Sequence, residues 1–322
     1  MNARRSNPSV EDWAEKVVAG DWRAAARLIT LIEGGDATAD PILQKLFAAG
    51  RDTPVIGITG PAGAGKSTIV DQLLAHWRAS DLTVAVLAVD PSSPITGGAV
   101  LGDRMRMGRH NTDPGVFIRS MSARGQLGGL SSAAGDALIV LDAMGFDRIV
   151  VETVGTGQNE IDILHYAQAT IVVQTPAGGD AVQALKAGLL EIADVFAVNK
   201  ADLAGADRVV SQLREAVEDR YVLDHDDWRA AIVKVQASAN IGITELDGAL
   251  SAFFDYLAAH PAVQEKRRKA RIRAALTNRV AEMLKKPNLV GRTSAFDLAI
   301  DSVLNRRADP RSAAANFIAA VR

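Results

Sequence analysis

The chain has 322 residues, with 36 Lys and Arg against 38 Asp and Glu and a formal net charge of −2. That balance supplies no global basic field toward nucleic acid or an anionic membrane surface, and the lack of cysteine excludes disulfides, thiolate metal ligands and cysteine nucleophiles. No window reaches the roughly 18 apolar residues of a spanning helix, and the Met1-Asn2-Ala3-Arg4-Arg5-Ser6 start runs into acidic, helical sequence rather than a secretory apolar run, so a cytoplasmic protein with no nucleic-acid or membrane partner is expected.

Residues 8–50 read as helical. Glu11 to Ala19 and Trp22 to Ile32 carry apolar residues at three- and four-residue spacing, Asp21 is placed to cap the second stretch, and Asp40-Pro41 opens a short helix that ends near Gly50. From Thr53 the period changes. Short apolar runs recur at Val55–Ile58, Thr83–Val89, Val116–Arg119, Arg148–Glu152, Thr170–Gln174, Val195–Asn199 and Ile232–Gln236, with helix-length segments between most of them. Strands apolar on both faces and alternating with helices predict an α/β fold with a mostly parallel sheet. Such sheets hold ligands at the carboxyl ends of their strands.

The first run leads into Gly60-Pro61-Ala62-Gly63-Ala64-Gly65-Lys66-Ser67-Thr68, a match to G-x-x-x-x-G-K-[ST] between a predicted strand and a predicted helix from Lys66 to Ala79. Glycines let successive N–H groups curl round a phosphate at a positive helix end. Lys66 is expected to reach the β- and γ-phosphates of a nucleotide, and the Ser67 hydroxyl to bind Mg²⁺. The bland reading, a Gly-rich turn that binds nothing, does not explain that strand–loop–helix context.

Mg²⁺ needs further oxygen ligands. Asp90, at the end of the second predicted strand, and Glu152, at the end of the fourth, are the candidates, although strand-end capping is the competing role for each. Glu152-Thr153-Val154-Gly155 fits the ExxG form of a γ-phosphate sensor, with the Gly155 N–H on the phosphate and the acid holding Mg²⁺ through water.

Asn199-Lys200-Ala201-Asp202 follows an apolar strand well downstream of the phosphate loop. The Asp202 carboxylate can accept from both N1–H and the exocyclic amine of guanine, a pair that adenine lacks. Asn199 can bond the N7/O6 edge or brace the phosphate loop, and the Lys200 stem can cover the base. Val235-Gln236-Ala237-Ser238-Ala239 supplies a last element, with the Ala239 N–H toward O6. GTP/GDP is therefore the expected nucleotide, and ATP the minor reading.

After about His260 the strand runs stop. Gln264 to Lys285 reads as a long basic amphipathic helix, whose charges are read as a solvated face, followed by a Lys-Pro-Asn break at 286–288 and further helix to Arg322. The expected domains are 1–50, an N-terminal helical extension; 51–260, a P-loop GTPase domain; and 261–322, a C-terminal helical arm.

These residues together resemble the MeaB-type GTPases, the G-protein chaperones of adenosylcobalamin-dependent methylmalonyl-CoA mutase, a family that includes the methylmalonic aciduria type A protein. The resemblance is carried by the phosphate loop, Asp90-Pro91-Ser92-Ser93-Pro94, Gly102-Asp103-Arg104, Phe117-Ile118-Arg119-Ser120-Met121, Glu152–Gly155, Gly157-Gln158 and Leu190-Glu191-Ile192-Ala193-Asp194, over roughly residues 50–240. It implies a P-loop NTPase fold of the SIMIBI class, the metal-and-signal-recognition branch of these GTPases, and a homodimer through the terminal arms. It further implies slow GTP hydrolysis accelerated by the mutase, which gates cofactor loading and protects or reactivates the mutase. By the same resemblance Asp90 and Asp103 act at Mg²⁺ and the switch region, and 178–186 is a mobile loop that couples to the partner. Gly179-Asp180-Ala181-Val182-Gln183 departs from the family's Gly-Asp-Glu-Leu-Gln, and Gly157-Gln158-Asn159-Glu160 from Gly-Gln-Ser-Glu, so a relative acting on isobutyryl-CoA or 2-hydroxyisobutyryl-CoA is also open as the partner.

The expected chemistry is in-line attack of water on the γ-phosphate, with Lys66, Mg²⁺ and loop amides stabilising charge. Asp103, Arg104, Gln158 and Glu160 are the candidates for positioning the water. Three other readings compete: a nickel-type metal-insertion GTPase, for which the five scattered histidines supply no site; a transport-system kinase, against which Asp202 argues; and a GTP-binding scaffold without turnover.

Overall fold

The computed structural model describes residues 9–90, 108–110, 112–122, 132–153, 165–176, 189–224 and 228–285, with positions 298, 301 and 302. Three helices come first: α1 (Val10–Val18), α2 (Trp22–Gly34) and α3 (Asp40–Ala48). Their ends follow from local chemistry. Ser9 and Asp12 form a reciprocal capping box at α1, Asp21 accepts from the N–H groups of Arg23 and Ala24 at α2, and Gly35 closes α2 at φ 70°.

The alternating part is β1 (Val55–Thr59), α4 (Lys66–Arg78), β2 (Val84–Asp90), β3 (Val116–Ser122), α5 (Ser132–Met144), β4 (Arg148–Thr153), β5 (Ala169–Gln174), the single turn α6 (Leu189–Ile192), β6 (Val195–Val198), α7 (Ala206–Asp224), β7 (Ala231–Lys234) and α8 (Ile243–Ala259). Helix α9 (Pro261–Lys285) starts three residues before the expected basic helix. The strands form one seven-stranded sheet in the order β3-β2-β4-β1-β5-β6-β7, and every pairing is parallel. An all-parallel sheet with β1 at its centre is the doubly wound P-loop architecture that the strand pattern predicts.

Side chains alternate between two cores. Ile56, Ile58, Val150, Ile171 and Val173 face α4 and α8, meeting Ile69, Leu73, Trp77, Leu246 and Phe253. Leu87, Ile149, Val151, Val172 and Phe196 face the other side, where α5 and α7 are joined by Leu28, Ile29 and Leu46 of the N-terminal helices. The edge of Trp22 meets Phe117 of β3 at a centroid distance of 5.7 Å, and Arg119 pairs with Glu33 at 2.6 Å. The N-terminal helices are thus part of the cover of the sheet.

Residues Met1–Arg271 form one compact unit and Ile272–Arg322 a second. In the second, Ile272 and Leu276 of α9 are exposed apolar residues. In the first, Asp194 is buried between α6 and β6. It accepts from the Thr170 N–H at 2.8 Å and from Arg267 Nη2 at 2.7 and 2.9 Å. Burial pushes its pKa up, and the Arg267 guanidinium pulls against that.

Candidate functional site

The phosphate loop joins β1 to α4 at the carboxyl edge of the sheet, where β1 lies between β4 and β5. This is the place that the parallel architecture reserves for ligands. Gly60, Gly63 and Gly65 have φ values of 137°, 74° and 88°, a left-handed region that disfavours side chains. Two of them are also confined. A Cβ on Gly60 would lie 2.3 Å from the Val173 carbonyl oxygen, and one on Gly65 would lie 2.3 Å from Asn199 Nδ2. Gly63 has nothing within 4 Å of its Cβ position, and Pro61, Ala62 and Gly63 are exposed. The loop is therefore packed underneath and open outward.

Helix α4 starts at Gly65 without a side-chain cap, so the positive end of the helix is left for an anion. Lys66 and Ser67 of its first turn are both buried. Lys66 Nζ donates to the carbonyl oxygens of Gly60 at 2.7 Å and Pro61 at 3.1 Å, which holds the ammonium inside the loop. Ser67 Oγ donates to Glu152 Oε1 at 2.6 Å. Glu152, the last residue but one of β4, stands beside Ile58 in register and is buried, on the α4 side of the sheet. A hydroxyl and a carboxylate brought this close are hard oxygen donors of the kind Mg²⁺ takes. Asp90 ends β2 one residue beyond the Val89↔Thr153 register pair, at the same edge of the sheet.

The second motif is tied to the first by one side chain. Asn199 Nδ2 donates to the Ala64 carbonyl at 2.8 Å, and Asn199 Oδ1 accepts from the Ala237 N–H at 3.1 Å. Of the two roles open to Asn199, the structure shows the brace. Lys200 takes φ 57° and donates from Nζ to the Gly63 carbonyl at 2.9 Å, which draws its stem across the loop. Asp202, Thr68, Ser238 and Ala239 are exposed around this bridge. The Ala239 N–H donates to the Gln236 carbonyl at 3.0 Å in a 3-10 turn.

Asp103, Arg104, Gly155, Gln158, Glu160 and the loop 178–186 lie outside the described residues. Sequence reasoning missed a polar layer under the loop on the opposite face of the sheet. There Thr153 Oγ1 donates to Thr59 Oγ1 at 3.0 Å, and buried Gln174 ends β5. Polar residues closing otherwise apolar strands were the available signal.

The family description "Methylmalonyl Co-A mutase-associated GTPase MeaB" matches residues 25–290. The chain belongs to the MeaB family. This MeaB-family chain is 44% identical over 306 residues to a protein of Pyrococcus horikoshii that carries a GTPase name, covering 95% of the chain and 96% of the relative. It is 41% identical over 198 residues to the fused isobutyryl-CoA mutase of Cupriavidus metallidurans, covering 60% of the chain and 18% of that protein. Its fold matches the crystal structure of a LAO/AO transport system kinase with a TM-score of 0.71 at 23% identity, over 100% of the chain and 99% of that structure. The bridged loops and the family membership agree on a GTPase. Among the described residues no cluster of three or more His, Cys, Asp or Glu is placed to hold a metal ion, and no helix is long and apolar enough to cross a membrane.

Proposed function

We propose that this GTPase is the G-protein chaperone of an adenosylcobalamin-dependent acyl-CoA mutase, coupling GTP hydrolysis to cofactor loading and to protection or reactivation of the mutase. The observation that carries the partner class is the fused relative. A protein named for isobutyryl-CoA mutase holds, in one polypeptide, a segment 41% identical to this chain. Covalent fusion keeps two proteins at high effective concentration, which is useful where they act together. Methylmalonyl-CoA mutase, from the family description, and an isobutyryl-CoA-type mutase, from the fusion, are the two candidates.

The residues divide the work as follows. Gly60 to Thr68 cradle the phosphates, with Lys66 turning its ammonium from the loop carbonyls to the β- and γ-oxygens. Asn199, Lys200, Asp202, Ser238 and Ala239 form the guanine site. The Ser67–Glu152 pair, with Asp90 and Asp103, would hold Mg²⁺, which neutralises charge on the phosphate oxygens when bound. Gly155 senses the γ-phosphate, and one of Asp103, Arg104, Gln158 and Glu160 orients the water. The exposed Ile272 and Leu276 on α9 support a homodimer through the C-terminal arm.

Two experiments test this. Titration with GTP and ATP should show a strong preference for GTP that Asp202→Asn abolishes, and equal affinity in the unmodified chain would refute the guanine site. GTP hydrolysis measured with and without each candidate mutase should rise with the true partner. No change with any B12-dependent mutase would leave the scaffold reading in its place.

A further inference from the structure

Strand β1 ends at Thr59 and β4 ends at Thr153. Each stands one place beyond Ile58↔Glu152, the last register pair of the two strands. Gly60, the first glycine of the phosphate loop, follows Thr59, and Glu152 precedes Thr153. Side chains alternate along a strand. Glu152 therefore lies with Ile58 on the α4 side, where it meets Ser67, while Thr59 and Thr153 lie on the other side with Val55, Ile149 and Val151. Both threonines are buried, at 0% and 3% exposure. Thr153 Oγ1 donates to Thr59 Oγ1 at 3.0 Å.

Threonine in an apolar strand has a bland explanation, since its branched Cβ suits a strand as well as valine's does. The depth of burial argues for more. A hydroxyl taken from water costs free energy unless it is paired, and two valines of the same shape would pack without that cost. What the pair adds is a directional link at the last point where β1 and β4 stand side by side. On the opposite face, Ser67 Oγ donates to Glu152 Oε1 at 2.6 Å. The end of β4 is thus tied to the phosphate loop from both faces of the sheet, through Thr59 where the loop begins and through Ser67 where it passes into α4. Those two ties fix how far the Glu152 carboxylate stands from the loop.

We infer that Thr59 and Thr153 are positioning residues for GTP hydrolysis: their hydroxyl bond sets the spacing between the Glu152 carboxylate and the phosphate loop. The inference rests on the GTPase reading of the Ser67–Glu152 site. Both side chains lie on the face away from Ser67, so they act through Glu152 and the loop and not on the reacting atoms.

The test uses the full chain with Thr59→Val, Thr153→Val, the double variant and Thr153→Ser. Stability is read from urea denaturation, GTP hydrolysis is followed against Mg²⁺ concentration, and GDP affinity is titrated in EDTA and in Mg²⁺. Each single valine strands one buried hydroxyl and should lower the urea midpoint. The double variant strands none and should recover most of that loss. The rate should behave differently. In each single variant kcat is expected to fall about tenfold, in line with the cost of small misplacements at a reacting centre. In the double variant it should stay equally low, because every one of them lacks the same bond. The Mg²⁺ concentration for half-maximal rate should rise, and the gain in GDP affinity that Mg²⁺ confers should shrink, with GDP affinity in EDTA unchanged. Thr153→Ser keeps the hydroxyl and should keep the rate. If the single variants do not fold, the double variant carries the test alone. Folded valine variants with the rate and Mg²⁺ dependence of the unmodified chain overturn the inference. So does a rate that recovers together with stability in the double variant, because that marks a purely structural pair. An unmodified chain that neither binds nor hydrolyses GTP overturns the GTPase reading itself, which separates the two failures.

Discussion

Ser67 and Glu152 meet at 2.6 Å although 85 residues separate them, joining the first turn of α4 to the end of β4. Both are buried, so the contact is part of the frame as well as of the site. Glu152→Gln keeps the shape and an acceptor oxygen for Ser67 while removing the charge. It should retain GDP binding in EDTA and lower Mg²⁺-dependent GTP hydrolysis by at least about tenfold. Phosphate release assayed beside a GDP titration checks this, and an unchanged rate would remove Glu152 from the metal site.

The glycines of the phosphate loop should not be equivalent. Gly60→Ala puts a methyl group 2.3 Å from a backbone oxygen, at φ 137°. It should cost about 1–3 kcal/mol of stability and abolish GTP binding. Gly63→Ala meets nothing within 4 Å and suffers only its φ of 74°, for a cost of about 1–2 kcal/mol. Urea denaturation of the two variants ranks them, and the reverse order would contradict the packing described.

Asp247 of α8 accepts from Trp77 Nε1 at 2.7 Å and Arg148 Nη1 at 2.7 Å, with His76 at 3.4 Å. The Arg148 guanidinium also lies over the Trp77 ring, 4.6 Å from its centroid. Asp247→Ala strips a partner from a buried indole and a half-buried cation together. A loss of about 2 kcal/mol is expected, read by chemical denaturation, with GTP affinity intact.

Acid should act on the ion pair between Arg78, the last residue of α4, and Asp113, at 3.0 Å. The Arg78 guanidinium, followed by the Gly115 N–H, holds the Asp113 carboxyl below its ordinary range. The stability this contributes is complete above about pH 4, where aspartates of the unfolded chain are ionised, and it is lost as pH falls through the lower folded value. Asp113→Asn should flatten the decline of stability below about pH 4 relative to the unmodified chain. An identical acid profile would show that the pair contributes nothing.

What the sequence made legible was local. The phosphate loop is a run of nine residues whose glycines and Lys66 declare their conformation, and Asn199–Asp202 sits at a strand end that its apolar run predicts. Strand and helix boundaries fell within a few residues for the same reason. The contact between Ser67 and Glu152 was less accessible, because it depends on β4 lying next to β1 although two strands separate them in sequence. The choice between two roles for Asn199 needed the Ala64 and Ala237 backbones in place.

Helix α2 lies against β3, with α1 and α3 packed on α5 beside it, and the short connection from α3 into β1 is itself pinned to α5: the Thr53 N–H donates to Asp142 Oδ1 at 2.8 Å, and a side chain at Gly50 would run into the same carboxylate at 2.4 Å. Protein engineers wishing to graft this GTPase onto another polypeptide therefore have unequal choices of seam. A linker ahead of Ser9 leaves that packing whole. A seam cut at residues 50–53 that leaves out the amino-terminal helices uncovers Phe117, against which Trp22 packs, and the product should be captured by holdase chaperones rather than recovered as an active enzyme.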